Sequence, residues 1–453
     1  MTSSNASGQI SSDVYIDWTG QIFNNRYISL KKLGYGGCSS VWFCYDTCDD
    51  RCIALKIFNI DDYTHGTYEA DLLKKINNLK SPLSVKFYES FDHETKDGVH
   101  LCLSLELMKT SLYQYIKQNQ LNLKEIKIIT KQVLEFLICL NKAGFVHTDI
   151  KPENILINDS SELAIKIKEY LKSQKYSDKL LNKKRELIKN KKNDIKKVSI
   201  IAIKDLILEE FSEILKENTK NNDDSDESSD SYSSESSDSK YYKEKKDKEK
   251  FVFTHDFLSE ESDESDEQQE EKPETVLESK NINILDETIK VNKIKVTDFN
   301  TCLSISKPDF EIQTRYYRAP EVIMENHFSE KIDIWSLGCT LYELLMREIL
   351  LNPDDIKDFS EDRYHIYLIH KKIGVISQEF WDKSKNKYIY LDSNNLLRGF
   401  NQIKSEPFWD SIINKFGSNQ ETLNFIDFIL DCLVTDADKR KTASELLTHV
   451  FLT

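Results

Sequence analysis

The run His147-Thr148-Asp149-Ile150-Lys151-Pro152-Glu153-Asn154-Ile155-Leu156-Ile157 concentrates more potential chemistry than any other stretch of this chain. It sets a carboxylate, an ammonium two residues on and a carboxamide five residues on in a loop that ends in an apolar strand. Asp149 can accept a hydrogen bond from an alcohol as its oxygen attacks an electrophile. Lys151 can neutralise charge on a group in transfer, and the neutral oxygen of Asn154 suits a hard cation such as Mg²⁺. Phosphoryl transfer to a hydroxyl needs these parts, because that chemistry is mostly positioning and charge stabilisation. Alone, the run could be an incidental polar loop. Its weight comes from the elements around it.

Upstream, residues 27–33 read as a strand, and Leu33, Gly34, Tyr35, Gly36, Gly37, Cys38, Ser39, Ser40 and Val41 follow as a turn and return strand. A turn that covers a triphosphate needs glycine where backbone approaches the phosphates and bends, then an apolar residue against the base. Gly34, Gly36 and Val41 meet those needs, with Ser39 at the third glycine position. Without support, such a run is more often a plain hairpin. The next apolar strand, CIALKIF, carries Lys56 between apolar neighbours, so its ammonium is expected to face the cleft and reach the phosphates of ATP. A helix over TYEADLLKKI brings Glu69 as its ion-pair partner.

Downstream, the strand KIKVTDFN arrives only at 293–300. Lengthening a loop from about 10 to about 130 residues adds only ~2.3 kcal/mol of closure entropy, so the two halves can still close one domain. Asp333 opens an apolar helix and is placed to hold the backbone of the 147–154 loop. Arg440 is placed to pair with Glu321.

The intervening segment is of another kind. The chain carries a formal charge of −15, and residues 221–280 alone hold 21 Asp/Glu against 8 Lys, leaving only −2 for the rest. The acidity therefore belongs to one segment, whose Ser/Asp/Glu tracts cannot bury enough apolar surface to order themselves. Before them, 161–216 has apolar residues at helical spacing around a Lys-rich stretch, read as a solvated helical face rather than a targeting signal. The N-terminus lacks a signal-peptide pattern, and the best apolar run, 200–208, is too short to span a bilayer. Cys44, Cys48 and Cys52 recur every fourth residue without zinc-type pairing, and read as reduced side chains on two strands and their turn. An intracellular protein, cytoplasmic or nuclear, is expected.

With these residues in place, the chain resembles the protein kinases, and most closely the SR protein kinases. The likeness rests on FNNRYISLKKLGYGGCSSVWFCYD, on HTDIKPENILI with Thr148 before the catalytic Asp, on EIQTRYYRAPEV and on DRYHIYLI. LAMMER-type kinases share the HTD signature. The resemblance implies an α+β, bilobal fold with a small β-rich N-lobe and a larger helical C-lobe, split by a long insertion. It divides the chain into an N-terminal extension at 1–25, a first kinase part at 26–158, the insertion at 159–290 and a second kinase part at 291–453. It implies ATP and Mg²⁺ as cofactors, with Asp298 joining Asn154 as metal ligand, and Leu105 as gatekeeper. It also implies Glu106 and Met108 as adenine-binding hinge residues, and phosphorylation of serines in Arg/Ser-rich proteins. A monomer acting on protein, without direct contact to nucleic acid or membrane, is expected.

Two departures stand out. Asn300 replaces the glycine of the usual Asp-Phe-Gly triplet, and tolerates left-handed backbone better than other side chains, so metal binding is expected to survive with altered loop mobility. Ala319-Pro320-Glu321 is the generic kinase form where SR kinases often have Ser-Leu-Glu. The uncharged Thr148 suggests activity without phosphorylation of the activation segment, with Glu311 as a built-in partner for Arg315 or Arg318. Asp354, Asp355, Asp358, Glu361 and Asp362 read equally as a docking surface for Arg-rich peptides or as a solvated loop before a helix. A pseudokinase scaffold recruiting partners through the insertion is the alternative, though every group the chemistry needs is present.

Overall fold

The computed structural model describes residues 16–49, 51–157, 291–304, 312–353, 360–400 and 402–453. The expected insertion at 159–290 and the apolar run at 200–208 lie outside the described residues.

Apolar alternation and aromatic content build the first lobe. Strands β1 (Ile22–Phe23), β2 (Tyr27–Tyr35), β3 (Ser39–Asp46), β4 (Arg51–Phe58), β5 (Phe87–Glu94) and β6 (Val99–Glu106) form one antiparallel sheet in the order β1-β2-β3-β4-β6-β5. Trp18, Phe23, Tyr27, Trp42, Ile53 and Leu55 make its core. Trp18 and β1 lie before residue 26 and nevertheless pack into that core, Trp18 edge-on to Phe23 at 5.4 Å. Cys44 and Cys52 sit on β3 and β4 and Cys48 in their turn, all as free thiols.

Helix α1 (Tyr63–Asn78) crosses this sheet at close range because Gly66 permits it. A Cβ there would stand 2.8 Å from both Leu101 Cδ2 and Phe58 Cδ2. One turn further on, the same approach buries Glu69 against β4.

The second lobe is helical: α2 (Leu112–Gln118), α3 (Leu123–Lys142), α4 (Lys331–Met346), α5 (Glu361–Lys372), α6 (Phe408–Phe416) and α7 (Gln420–Cys432). Asn122 and Glu125 form a capping box at the start of α3, whose buried stripe runs through Ile126, Ile129, Val133, Leu137 and Leu140. Helix α4 is buried from Ile332 to Met346 and so reads apolar all round. Gly338 lets α7 approach it, since a Cβ would stand 2.8 Å from Leu433 Cδ2. Among the described residues no helix is long and apolar enough to cross a membrane.

Short strands join the lobes' edges to the loops that matter. Strand β7 (Thr110–Ser111) pairs with β9 (Ile155–Ile157), and β8 (Phe145–Val146) with β11 (Leu303–Ser304). Strand β9 also pairs with β10 (Ile294–Val296), in the register Ile157↔Ile294 and Ile155↔Val296. The chain on either side of the long segment is thus hydrogen-bonded as one hairpin, and the α+β, two-lobed architecture is the one expected.

Candidate active site

Asp333 holds the 147–154 loop. Buried in the first turn of α4, it accepts hydrogen bonds from the backbone N–H groups of His147 at 2.7 Å and Thr148 at 2.8 Å. Burial pushes its carboxyl up to about 7, against the pull of those two bonds. Thr148 takes left-handed backbone, φ 69°, a conformation that β-branched residues rarely adopt and that costs on the order of 1–3 kcal/mol. Its hydroxyl donates to the Thr301 carbonyl at 2.7 Å, giving the strained residue a second anchor. The His147 ring lies edge-on to Phe299 at 5.3 Å, tying the loop to the residue after Asp298.

The turn presents Asp149. Asn154 Nδ2 donates to its Oδ2 at 2.8 Å and its carbonyl at 2.9 Å, while Lys151 Nζ lies 2.9 Å from Oδ2. Asp149 Oδ1 accepts from the Thr314 hydroxyl at 2.7 Å, and Lys151 Nζ donates to that same hydroxyl oxygen at 2.7 Å. Burial opposes the charge on Lys151, but the Asp149 carboxylate outweighs it and raises the pKa. Asn154 thus spends its amide N–H group on Asp149, which fixes the orientation of its side chain.

Lys56 forms a second centre. Its Nζ donates to Glu69 at 2.8 and 3.1 Å and to Asp298 Oδ1 at 2.9 Å. Burial works against the ammonium's charge, but Asp298 and Glu69 together hold its pKa above the ordinary value. Burial likewise works against the Asp298 carboxylate, and Lys56 reverses the sign, holding it below its usual range. Asp298 is itself left-handed, φ 66°. Asn300 is not, so the expected need for left-handed backbone at 300 is corrected: the triplet's turn is made at Asp298, where a short polar side chain tolerates it.

Between these centres and the solvent lies the β2–β3 turn. Gly34 faces Val41 and Tyr35 faces Ser40 across it. Gly34, Gly36 and Gly37 have no left-handed φ, and a Cβ on any of them would meet nothing within 4 Å. The chain's own packing does not demand glycine there, so bare backbone beside open space fits the approach of a ligand better than it fits a turn requirement. Leu33 and Tyr35 are exposed, Cys38, Ser39 and Ser40 half-buried. In the register below, Val41 faces Lys56 and Ala54 faces Leu105. Glu106 and Met108 follow at the end of β6; the Glu106 carboxylate is held by Lys295 at 2.6 Å, and Met108 is buried.

The loop trio and the Lys56 trio thus assemble from the residues the sequence singled out. Thr314 was missed, since its bonds to Asp149 and Lys151 span more than 160 positions and follow no spacing. Arg315 meets Glu361 at 2.9 Å and Asp362 at 2.6 Å, so these two carboxylates are engaged within the chain. Glu311, Asp354, Asp355 and Asp358 lie outside the described residues. Arg440 meets Glu321 at 2.7 and 3.0 Å, as its position suggested.

Comparison with known proteins agrees with this geometry. The protein kinase domain family matches residues 27–187 and 277–452, two stretches that run into both ends of the expected 159–290 insertion. The chain is 28% identical to the serine/threonine-protein kinase L205 of Acanthamoeba polyphaga mimivirus, over 96% of this chain and 88% of that protein. It is 27% identical to SRSF protein kinase 3 of Sus scrofa, over 96% of this chain and 87% of that one. The crystal structure of the PF14_0431 kinase domain superposes with a TM-score of 0.58 at 22% identity, covering 97% of this chain and 99% of that one. The chain belongs to the protein kinase domain family and is an ATP-dependent protein kinase.

Proposed function

We propose that this chain phosphorylates serine and threonine hydroxyls of proteins, with Arg/Ser-rich proteins as its preferred class. The seat of Thr314 carries the catalytic half of the reading: an alcohol oxygen rests against both the Asp149 carboxylate and the Lys151 ammonium, each at 2.7 Å. A substrate hydroxyl presented to Asp149 donates its hydrogen bond, and then its proton, there as its oxygen attacks the γ-phosphorus in line and the bond to the β-phosphate oxygen breaks, releasing ADP. Lys151 then neutralises charge on the group in transfer. Leu33 through Val41 cover the nucleotide, Lys56 with Glu69 fixes the phosphates, and the backbone at Glu106 and Met108 holds the adenine. Asp298 and the Asn154 carbonyl are hard oxygen donors of the kind Mg²⁺ takes, and would hold it to neutralise the phosphates. Residues 26–158 and 291–453 form the catalytic domain, with 159–290 as its insertion.

The substrate class draws support from SRSF protein kinase 3 among the relatives and from Glu361 and Asp362, which already bind one guanidinium, that of Arg315. Thr148 cannot reward a phosphorylated activation segment with charge, and its hydroxyl already bonds to Thr301 of that segment. The kinase is therefore read as active as synthesised. A peptide array with purified, phosphatase-treated protein and Mg²⁺–ATP tests all three points. Arg/Ser peptides should lead the array, and Asp149→Ala should cut labelling by ~10²–10⁴. Undiminished labelling by Asp149→Ala overturns the catalytic reading, a flat array the substrate class, and silence until an upstream kinase acts the last point.

A further inference from the structure

Cys38, at the tip of the β2–β3 turn, was grouped with the nucleotide cover, and its thiol is hydrogen-bonded to Asp62; burial, then that bond, raises its pKa. Its sulfur, an Asp62 carboxylate oxygen and a His65 ring nitrogen lie within 4.8 Å of one another. These are three different donor types from two elements, the turn and the start of α1. Cys44, Cys48 and Cys52, the spacing that suggested a metal in the sequence, form no such group among the described residues.

Second contacts orient the three. Asn59 donates through Nδ2 to the Gly37 carbonyl at 2.8 Å and to Asp62 at 3.3 Å, and its backbone N–H donates to the Cys38 carbonyl at 2.9 Å. The turn is therefore already laid against residues 59–62, with the Asp62 carboxylate steered from behind as metal-bound carboxylates usually are. His65 Nδ1 lies at hydrogen-bond distance, 3.1 Å, from Asp62 Oδ1, a bond that an ion between them would replace. The His65 side chain is 67% exposed, which leaves room for water as a fourth ligand.

We infer that Cys38, Asp62 and His65 form a site for a thiophilic divalent cation, Zn²⁺ in chemical type, that clamps the β2–β3 turn to the start of α1. Bond lengths of about 2.0–2.3 Å place tetrahedral ligands roughly 3.3–3.7 Å apart, so a contraction of about an ångström closes the site. Binding exchanges the thiol S–H bond for a sulfur–metal bond and releases the proton to solvent. The positive end of α1 opposes a cation here, and the thiolate and Asp62 carboxylate together outweigh that half-charge. Sulfur and nitrogen donors select zinc-like ions over the Mg²⁺ that accompanies ATP.

The test uses the full chain without nucleotide, so it stands or falls apart from the proposed activity. Co²⁺ titrated into reduced protein should give a thiolate-to-cobalt charge-transfer band at one equivalent, displaced by Zn²⁺. Cys48→Ser should keep the band, His65→Ala should weaken Co²⁺ binding at least tenfold, and Cys38→Ser should lose it. Hydrogen exchange gives the second readout: Zn²⁺ should slow exchange across 34–41 in the wild type and leave it unchanged in Cys38→Ser. A band that persists in Cys38→Ser overturns the site, and unaltered exchange across 34–41 on Zn²⁺ binding overturns the clamp.

Discussion

Two buried ion pairs in this molecule use the same opposite charges and do different work. Arg440 and Glu321 are almost sealed, at 0% and 2% side-chain exposure, and the guanidinium bonds both carboxylate oxygens plus the carbonyls of Val434 and Lys331. Four of its five N–H donors are aimed at fixed acceptors, as a planar fork permits. Lys56 instead divides a compact ammonium between Glu69 and Asp298, and the latter is 31% exposed. The first pair has nowhere else to go. The second is partly open at Asp298, and on the proposed reading its ammonium would exchange a carboxylate for a phosphate. The difference lies in geometry, since a point charge on a flexible stem can be shared and a bidentate fork cannot.

The largest expected effects come from exchanging the two cations. Lys56→Arg keeps the charge but replaces a point donor with a rigid fork that cannot serve Glu69, Asp298 and phosphate together. Turnover should fall by at least about tenfold, with stability changed by less than ~1 kcal/mol. Arg440→Lys should do the reverse. It loses charge-assisted bonds in a dry site, at ~1.5–3 kcal/mol, while turnover per folded molecule holds. Denaturant melts beside steady-state rates read both arms. Equal losses of rate and stability in both variants would erase the distinction between a working pair and a structural one.

A buried base without any partner sharpens the contrast. His365 on α5 is fully buried, and neither ring nitrogen finds a hydrogen bond. Burial, then the positive charges of Arg315 and Arg318, lowers its pKa to about 3. The unfolded chain protonates this ring near 6.5, so it alone binds the proton between about pH 6.5 and 3, and stability is lost as pH falls through that window. Glu343 and Asp333 act oppositely: burial raises both to about 7, so protonated native carboxyls favour folding as pH falls from there. His365→Leu should therefore lose up to ~2 kcal/mol less stability than wild type between pH 7.5 and 5. Thermal melts across that range check it, and parallel curves for the two proteins would refute it.

Much of the site was legible because its residues follow spacing. Asp149, Lys151 and Asn154 sit in one loop, Lys56 and Glu69 occupy a strand and a helix position, and Asp298, in the loop after β10, was implied by the likeness to kinases. What escaped has no period. Thr314 reaches Asp149 only once the activation segment has folded back, and Arg315 finds Glu361 and Asp362 across 46 and 47 positions. Trp18 joins the N-lobe core by filling a space between Phe23 and His100 that no local pattern marks. Asn300 misled in a different way, because the conformational demand fell on its neighbour Asp298. Local chemistry is written in the sequence, and long-range complementarity is not.

The smallest expected effect concerns the segment that separates the two halves. Arg440 and Glu321 both follow it, whereas Lys56 and Glu69 precede it and Asp298 follows it. The working centre therefore spans the interruption and the structural pair does not. Ile157 faces Ile294 across the β9–β10 hairpin, and Gln132 clasps the returning chain through the Asn292 carbonyl and the Ile294 N–H. Val291, the first described residue after the segment, is buried. Replacing 159–290 with about six Gly/Ser residues leaves this hairpin its own register. The shorter closure should favour folding by ~2.7 kcal/mol, less whatever the removed residues contribute themselves. Turnover on a generic substrate should stay within a few-fold. Arg440→Lys should cost the shortened chain the same stability as the full one, because that pair never crosses the junction. If the shortened protein folds with its Arg440 penalty intact yet loses turnover, then the segment supplies part of the Lys56–Asp298 alignment, and the hairpin alone does not set it.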